Sequence, residues 1–342
     1  MTYKAFVVTK KGTPDVINLV ERELIDPKEK ELRIKVLAVG IGSTDIFVRS
    51  SFDPYVPKFP FTPGAEVVGL IDAVGPGVTQ FKKGDTVASL MSYGACTEYI
   101  YIPEDQLALV PPGLDPAKAV ALVLEYTTAY QMLHRVAKVK EGDKILITGA
   151  SGAVGRAIME LGKLAKIKMY GLSSPSKTGY LTKYGVTPID YTKGDFVKEL
   201  RTLEPDGVDF VLDGVAGNYI FRGMGALKRK GKLITFGNPG FWHALLGMGR
   251  VILLSMVPNG KSATIYGIFY WFYSKKKTGR QWIKQDQMLL CKMVQEGIID
   301  PLIYTKLPLL ETKKANEILD SGKFYGKIVL VTPELLKEVH SN

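Results

Sequence analysis

The stretch from Lys144 to Lys177 constrains the fold of this chain more than any other. It opens with an apolar run, Lys144-Ile145-Leu146-Ile147-Thr148, and turns through Gly149-Ala150-Ser151-Gly152-Ala153-Val154-Gly155. Val154, Ile158, Leu161 and Ala165 then follow at the spacing of one helical face. Strand, tight turn and helix is the order this implies. In such a unit the glycines let the backbone approach a pyrophosphate, while free amides and the positive end of the helix dipole stabilise its charge. Spaced glycines alone are a weak signal, and the strand before them and the helix after them supply the context.

A second feature selects the dinucleotide. If residues 168–173 form the next strand, its end should carry an Asp or Glu to bind the ribose of NAD. Residues 161–189 contain no carboxylate, and the tip reads Ser173-Ser174-Pro175-Ser176-Lys177. Hydroxyls plus a cation suit a 2′-phosphate, and no acid in that window repels it. NADP(H) is the expected cofactor.

The 342 residues suffice for two domains with cores of their own. A formal charge of +11 admits nucleic acid, anionic lipid or a polyphosphate ligand as partner. The lysines are spread along the chain without an arginine-rich arm or a nucleic-acid motif, so no nucleic-acid partner is expected. Two cysteines, Cys96 and Cys291, support neither a disulfide framework nor a zinc ribbon. The start, Met1-Thr2-Tyr3-Lys4-Ala5-Phe6-Val7-Val8, reads as a strand and not as a signal peptide, so a cytoplasmic location is expected. The longest apolar run, 244–257, is broken by Arg250 and closed by Pro258. Spanning a bilayer takes roughly 20 residues, so no transmembrane helix is expected.

Residues 1 to 123 read as β-rich, with strand candidates at 5–9, 17–24 and 32–39. Leu32, Ile34, Val36 and Ala38 alternate as one buried face demands. Pro and Gly punctuation at 62–64, 75–77 and 83–85 indicates a compact barrel or sandwich. Beyond 142, apolar strand candidates at 144–148, 168–172, 186–190, 209–213, 232–236 and 264–268 alternate with helical stretches, the pattern of a doubly wound parallel sheet. Helices near 286–295 and 313–319 and a strand at 327–331 are expected to return to the first domain.

Over nearly its whole length the chain resembles the medium-chain dehydrogenase/reductase superfamily, in its zinc-free quinone oxidoreductase branch. The matching pieces include Val39-Gly40-Ile41 with Asp45, Phe47 and Arg49; Pro63-Gly64 with Glu66 and Gly69; and Val74-Gly75 with Val78, Phe81, Gly84 and Asp85. Thr128-Ala129-Tyr130, the glycine turn and Gly326-Lys327-Ile328-Val329-Leu330 complete the set. The resemblance implies a GroES-like β-barrel catalytic domain (1–123 with 272–342) and a Rossmann NADP(H)-binding domain (124–271). It further implies hydride transfer from NADPH to a quinone, enone or similar apolar conjugated carbonyl, and a homodimer joined through the last Rossmann strand. By position, Ser151, Gly152, Ala153 and Val154 would meet the pyrophosphate. Ser173, Ser174, Lys177 and Tyr191 would meet the 2′-phosphate, and Phe236, Gly237 and Thr128 would flank the nicotinamide.

There are departures. Gly42 and Ala65 stand where the zinc alcohol dehydrogenases place a Cys and a His, and the chain has only three histidines, so no metal is expected. Gly42 also replaces the Asn that many quinone reductases carry, and Glu125 stands at another frequent Asn. Without a metal, Thr128 and Tyr55 are the candidate donors to a developing substrate oxygen. A glycine pattern and Tyr273…Lys277 also fit short-chain dehydrogenases, but those begin at the glycine strand. The competing class is a membrane-associated or partner-binding protein with little catalytic activity. Its evidence is Phe241-Trp242, the run to Val257, and Phe269-Tyr270-Trp271-Phe272-Tyr273 beside Lys275-Lys276-Lys277 and Arg280. Dimer interface and pocket wall is the preferred reading of that segment.

Overall fold

The computed structural model describes residues 1–50, 56–237, 260–274 and 277–337, with the isolated positions 247, 249, 251 and 253. Tyr55 and the Phe241-Trp242 pair lie outside the described residues, as do Lys275 and Lys276. The chain divides into two units, Met1–Thr127 with Phe269–Asn342, and Thr128–Ile268.

In the first unit, β1 (Thr2–Val8) and β2 (Ile17–Glu23) form an antiparallel hairpin. The remaining strands are β3 (Glu31–Ile41), β4 (Glu66–Val74), β5 (Thr86–Leu90), β6 (Tyr99–Pro103) and β7 (Ala108–Leu109). The second unit holds β8 (Lys144–Thr148), β9 (Lys168–Ser173), β10 (Val186–Asp190), β11 (Val208–Asp213), β12 (Leu227–Thr235) and β13 (Ser262–Ile265). The chain then returns to the first unit with β14 (Ile303–Pro308) and β15 (Lys327–Val331).

The larger sheet of the first unit runs β14-β15-β3-β4-β5-β7, with β6 also on β3. Leu32, Ile34, Val36 and Ala38 are buried as their alternation requires. Leu32, Ile34 and Val36 pack with Ile71, Val87, Ile328 and Leu330 into the core. Every residue of β15 is buried, Lys327 included, which anchors the returning segment between β14 and β3. That segment also carries the helices Lys277–Gln295 and Thr312–Ser321. The strand expected over 264–268 is instead β13 at Ser262–Ile265, and the aromatic run after it forms the helix Ile268–Tyr273. Apolar continuity alone does not separate strand from helix here. Phe272 is buried and the Tyr273 hydroxyl accepts a bond from the Ser92 amide, whereas Tyr270 is exposed.

The second unit is one parallel sheet ordered β10-β9-β8-β11-β12-β13. The order reverses at β8, so the glycine turn that follows β8 lies at the point where doubly wound sheets bind ligands. Residues 153–164 form the expected helix, but its buried face differs from the expected one. Ile158 and Leu161 are buried, Val154 and Ala165 only partly, and Gly155, Arg156 and Gly162 are added. The two glycines are the reason. A Cβ on Gly155 would stand 2.5 Å from the carbonyl oxygens of Gly149 and Ala150, and one on Gly162 2.5 Å from the Met169 sulfur.

Candidate functional site

Three adjacent strands end at one edge of the second unit, and each end carries residues expected to meet the dinucleotide. After β8, Gly149 takes a left-handed conformation (φ +67°) that favours glycine. The Gly152 amide closes the turn on the Gly149 carbonyl at 2.9 Å, and Gly152 becomes the N-cap residue of the helix Ala153–Leu164. The amides of Ala153 and Val154 are therefore among those that a helix start leaves without an intrahelical acceptor. Ser151 sits within this turn. β9 ends at Ser173, whose Oγ is buried and has no hydrogen-bond partner among the described residues. Burying a hydroxyl without a partner is costly, so such an atom is suited to a ligand. Ser174 and Lys177 then form a single turn, closed by the Lys177 amide on the Ser174 carbonyl at 2.9 Å. Tyr191, just beyond β10, is exposed.

The sheet corrects one expectation. The window 161–189 lacks acids, but Asp190 ends β10 directly opposite Ser173 in the parallel register. The edge is therefore not free of carboxylate. Asp190 Oδ1 accepts from the Thr192 hydroxyl at 2.6 Å and its amide at 2.9 Å, and these bonds hold its carboxyl below the usual range. Lys193 Nζ stands 3.8 Å from Oδ2.

On the other side of β8 lies a cluster that sequence reasoning missed. Asp213, fully buried at the end of β11, accepts from Thr148 Oγ1 at 2.5 Å and Thr235 Oγ1 at 3.0 Å. It also accepts from the amides of Val215 and Ala216 at 3.1 Å. It thereby ties together the ends of β8, β11 and β12. A polar residue closing each of three apolar strands was the available signal. Phe236 and Gly237 pack against the following turn, where a Cβ on Gly214 would stand 2.9 Å from the Phe236 ring. Ala216 and Gly217 there take positive φ values of +65° and +62°. Thr128 belongs to the helix Thr127–Tyr130, and its Oγ1 is buried with no hydrogen-bond partner among the described residues.

The first unit has its own charged centre, also missed. Lys327 Nζ, on β15, donates to Glu66 Oε1 on β4 and to Glu125 Oε1 at 2.8 Å. All three side chains are at most 4 % exposed. Glu125 lies in a π-helical turn, Leu122–Tyr126, and its Oε2 has no partner among the described residues. Burial opposes the Lys327 charge, but Glu125 and Glu66 more than offset it and hold the ammonium protonated. One cation faces two carboxylates. Burial, with Glu125 repulsion added and Lys327 opposing, raises Glu66 to about 7. Burial likewise raises Asp45, although the amides of Gly42 and Gly64 donate to it at 2.9 and 3.0 Å.

This cluster borders both departures, Gly42 and Glu125. A Cβ on Gly42 would stand 3.4 Å from Lys327 Nζ and 3.8 Å from Glu125 Oε1. The ammonium lies against the position where the zinc enzymes carry a Cys, and Glu125 supplies charge that an Asn would not. Among the described residues, no group of three or more His, Cys, Asp and Glu side chains is arranged to hold a metal. No described helix is long and apolar enough to cross a membrane.

Residues 28–112 match the alcohol dehydrogenase GroES-like domain and residues 185–330 the zinc-binding dehydrogenase domain. The synaptic vesicle membrane protein VAT-1 homolog of Rattus norvegicus is 34% identical, over 96% of this chain and 84% of its own length. The quinone oxidoreductase of the same species is 27% identical over 96% of this chain and 97% of its own. The structure of Escherichia coli quinone oxidoreductase complexed with NADPH superposes with a TM-score of 0.83 at 26% identity, covering 96% of this chain and 99% of that one. The chain belongs to the medium-chain dehydrogenase/reductase superfamily, in its quinone oxidoreductase branch, a family of oxidoreductases.

Proposed function

We propose that this chain is a zinc-independent, NADP(H)-dependent reductase of quinones, enones or similar apolar conjugated carbonyls, working in the cytoplasm as a homodimer. The unit Thr128–Ile268 is its cofactor domain and the other unit its catalytic domain. The observation that carries the reading is the edge where the glycine turn, the unpartnered Ser173 hydroxyl and the Ser174–Lys177 turn converge. When bound there, NADPH supplies a hydride. The Ala153 and Val154 amides neutralise pyrophosphate charge, and Ser173, Ser174, Lys177 and Tyr191 meet the 2′-phosphate. Phe236 and Gly237 bound the nicotinamide. Negative charge growing on the substrate oxygen is met by the Thr128 hydroxyl, with Tyr55 as the second donor. Holding donor and acceptor carbons together provides most of the acceleration. β13 at the open end of the sheet supports the dimer.

Among the described residues of that edge, Asp190 favours NADH, because a carboxylate repels a 2′-phosphate. Titration of both coenzymes, followed by turnover across quinones, enones and alkenals, tests the proposal. Tighter NADPH binding with turnover of one carbonyl class supports it, and failure to bind either coenzyme refutes it.

The exposed Tyr270 beside a basic stretch, with the relatives called synaptic vesicle membrane proteins, favours a second reading: a membrane-associated or partner-binding protein with little catalytic activity. Co-sedimentation with anionic liposomes at physiological salt, without turnover, would establish it in place of the first.

A further inference from the structure

The edge of the second unit opposite the glycine turn, where β11, β12 and β13 begin, contains an open cavity of about 960 Å³. Four cations line it, Arg201, Lys228, Arg229 and Lys261, against one carboxylate, Asp206. We propose that this cavity is an anion site for a phosphate-bearing group, carried either by a soluble ligand or by a lipid headgroup.

Two of the cations, Arg201 and Lys261, are placed with little freedom. Arg201, from the helix Phe196–Leu203, donates to the carbonyls of Pro205 at 2.8 Å, Gly225 at 2.9 Å and Leu227 at 3.0 Å. Gly207 backs it: a Cβ there would stand 2.9 Å from Arg201 Nη1. Lys261 Nζ donates to the Met224 carbonyl at 2.8 Å. Burial, with the nearby Arg201 charge added, pushes the Lys261 ammonium below the ordinary lysine range. Two cations thus stand close enough to repel while partly removed from water.

Among the described residues, the neighbouring acids cancel Lys228 of the four cations. Glu204 is held by Lys144 at 2.5 Å, Lys168 at 2.8 Å and Tyr170 at 2.5 Å. Asp209 pairs with Lys228 and accepts the Lys144 amide at 2.9 Å. That leaves Asp206 against Arg201, Arg229 and Lys261. The exposed Arg229 guanidinium offers the fork, and the fixed charges of Arg201 and Lys261 behind it suit the charge of a phosphate better than a single carboxylate. The site is independent of the nicotinamide proposal.

The test is calorimetric titration with inorganic pyrophosphate of the full chain and of Arg229→Gln/Lys261→Gln, each saturated with NADPH so that the glycine-turn edge is occupied. Sedimentation with phosphatidylcholine vesicles, with and without phosphoinositide, runs alongside. The NADPH-saturated wild type should still bind pyrophosphate, and the NADPH-saturated double variant at least tenfold more weakly. Arg229→Gln alone changes only an exposed side chain, and it should weaken binding severalfold with an unchanged melting temperature. Vesicle binding that depends on phosphoinositide and is lost in the double variant assigns a lipid headgroup. Pyrophosphate binding without sedimentation assigns a soluble ligand. No saturable binding by the wild type in either arm, or equal binding by the double variant, overturns the proposal.

Discussion

Replacing Lys327 with Met removes the single ammonium that Glu66 and Glu125 share. Both carboxylates are then left in a pocket where neither exceeds 4 % exposure. Two like charges about 4 Å apart repel by about 4 kcal/mol at an effective dielectric of 20. Breaking a buried pair from one side typically costs about 3–5 kcal/mol, so a loss of that size is expected at pH 8. This is a large share of a domain stability of about 5–15 kcal/mol. The loss depends on pH. In the wild type Glu66 is already raised from 4.5 to about 7, so its proton is held more tightly folded than unfolded. That contribution to stability is complete below 4.5 and disappears as the pH rises through about 7. Without Lys327 the carboxyl rises further, so the variant should recover much of its deficit by pH 5. Guanidinium unfolding at pH 5 and pH 8 measures the difference, and Glu125→Gln/Lys327→Met should restore part of the pH 8 loss. A deficit below about 1 kcal/mol at pH 8, the scale of an exposed ion pair, would refute the reasoning.

Gly155→Ala should lower stability by about 1–3 kcal/mol, because the new Cβ meets two fixed carbonyl oxygens, and it should weaken coenzyme binding by displacing the turn. Thermal melts and titration check both, and wild-type values in each would contradict the packing argument. Glu204 is held at about 2: burial pushes it up, and hydrogen bonds from Lys144, Lys168 and Tyr170 outweigh that. Its lowered value contributes stability that is full above 4.5 and lost as the pH falls through about 2. A pH series of melts on Glu204→Gln should show a deficit that narrows only across that acid range. Asp213→Ala removes the acceptor of two threonine hydroxyls and two amides, and should cost at least about 2 kcal/mol in chemical denaturation.

The strand, turn and helix at Lys144 to Leu164 were legible because their cause is local: glycines at a turn, then apolar residues at helical spacing. The parallel sheet followed from alternation, and the inward set of β3 from a period of two. What escaped depends on which strands become neighbours. Asp190 lies 17 positions beyond Ser173 in sequence yet directly beside it in the sheet. Lys327 meets Glu66 across 261 positions, and nothing near Lys327 in sequence marks it as buried. Asp213 was read only as the end of a strand, since its partners come from two other strands. The strand expected to run to 268 stops at Ile265 because an apolar run fits either element, and the exposed Tyr270 and buried Phe272 became distinguishable only through their surroundings.

The central claim is that the edge formed by the glycine turn and Ser173 to Lys177 holds a coenzyme with a 2′-phosphate. Fluorescence titration of NADPH and NADH against the wild type and Lys177→Ala tests it most directly. The wild type should bind NADPH more tightly, and the variant should lose about 1.4 kcal/mol or more, at least tenfold, for NADPH while NADH is little changed. Equal losses for both coenzymes, or a wild type that prefers NADH, would contradict it.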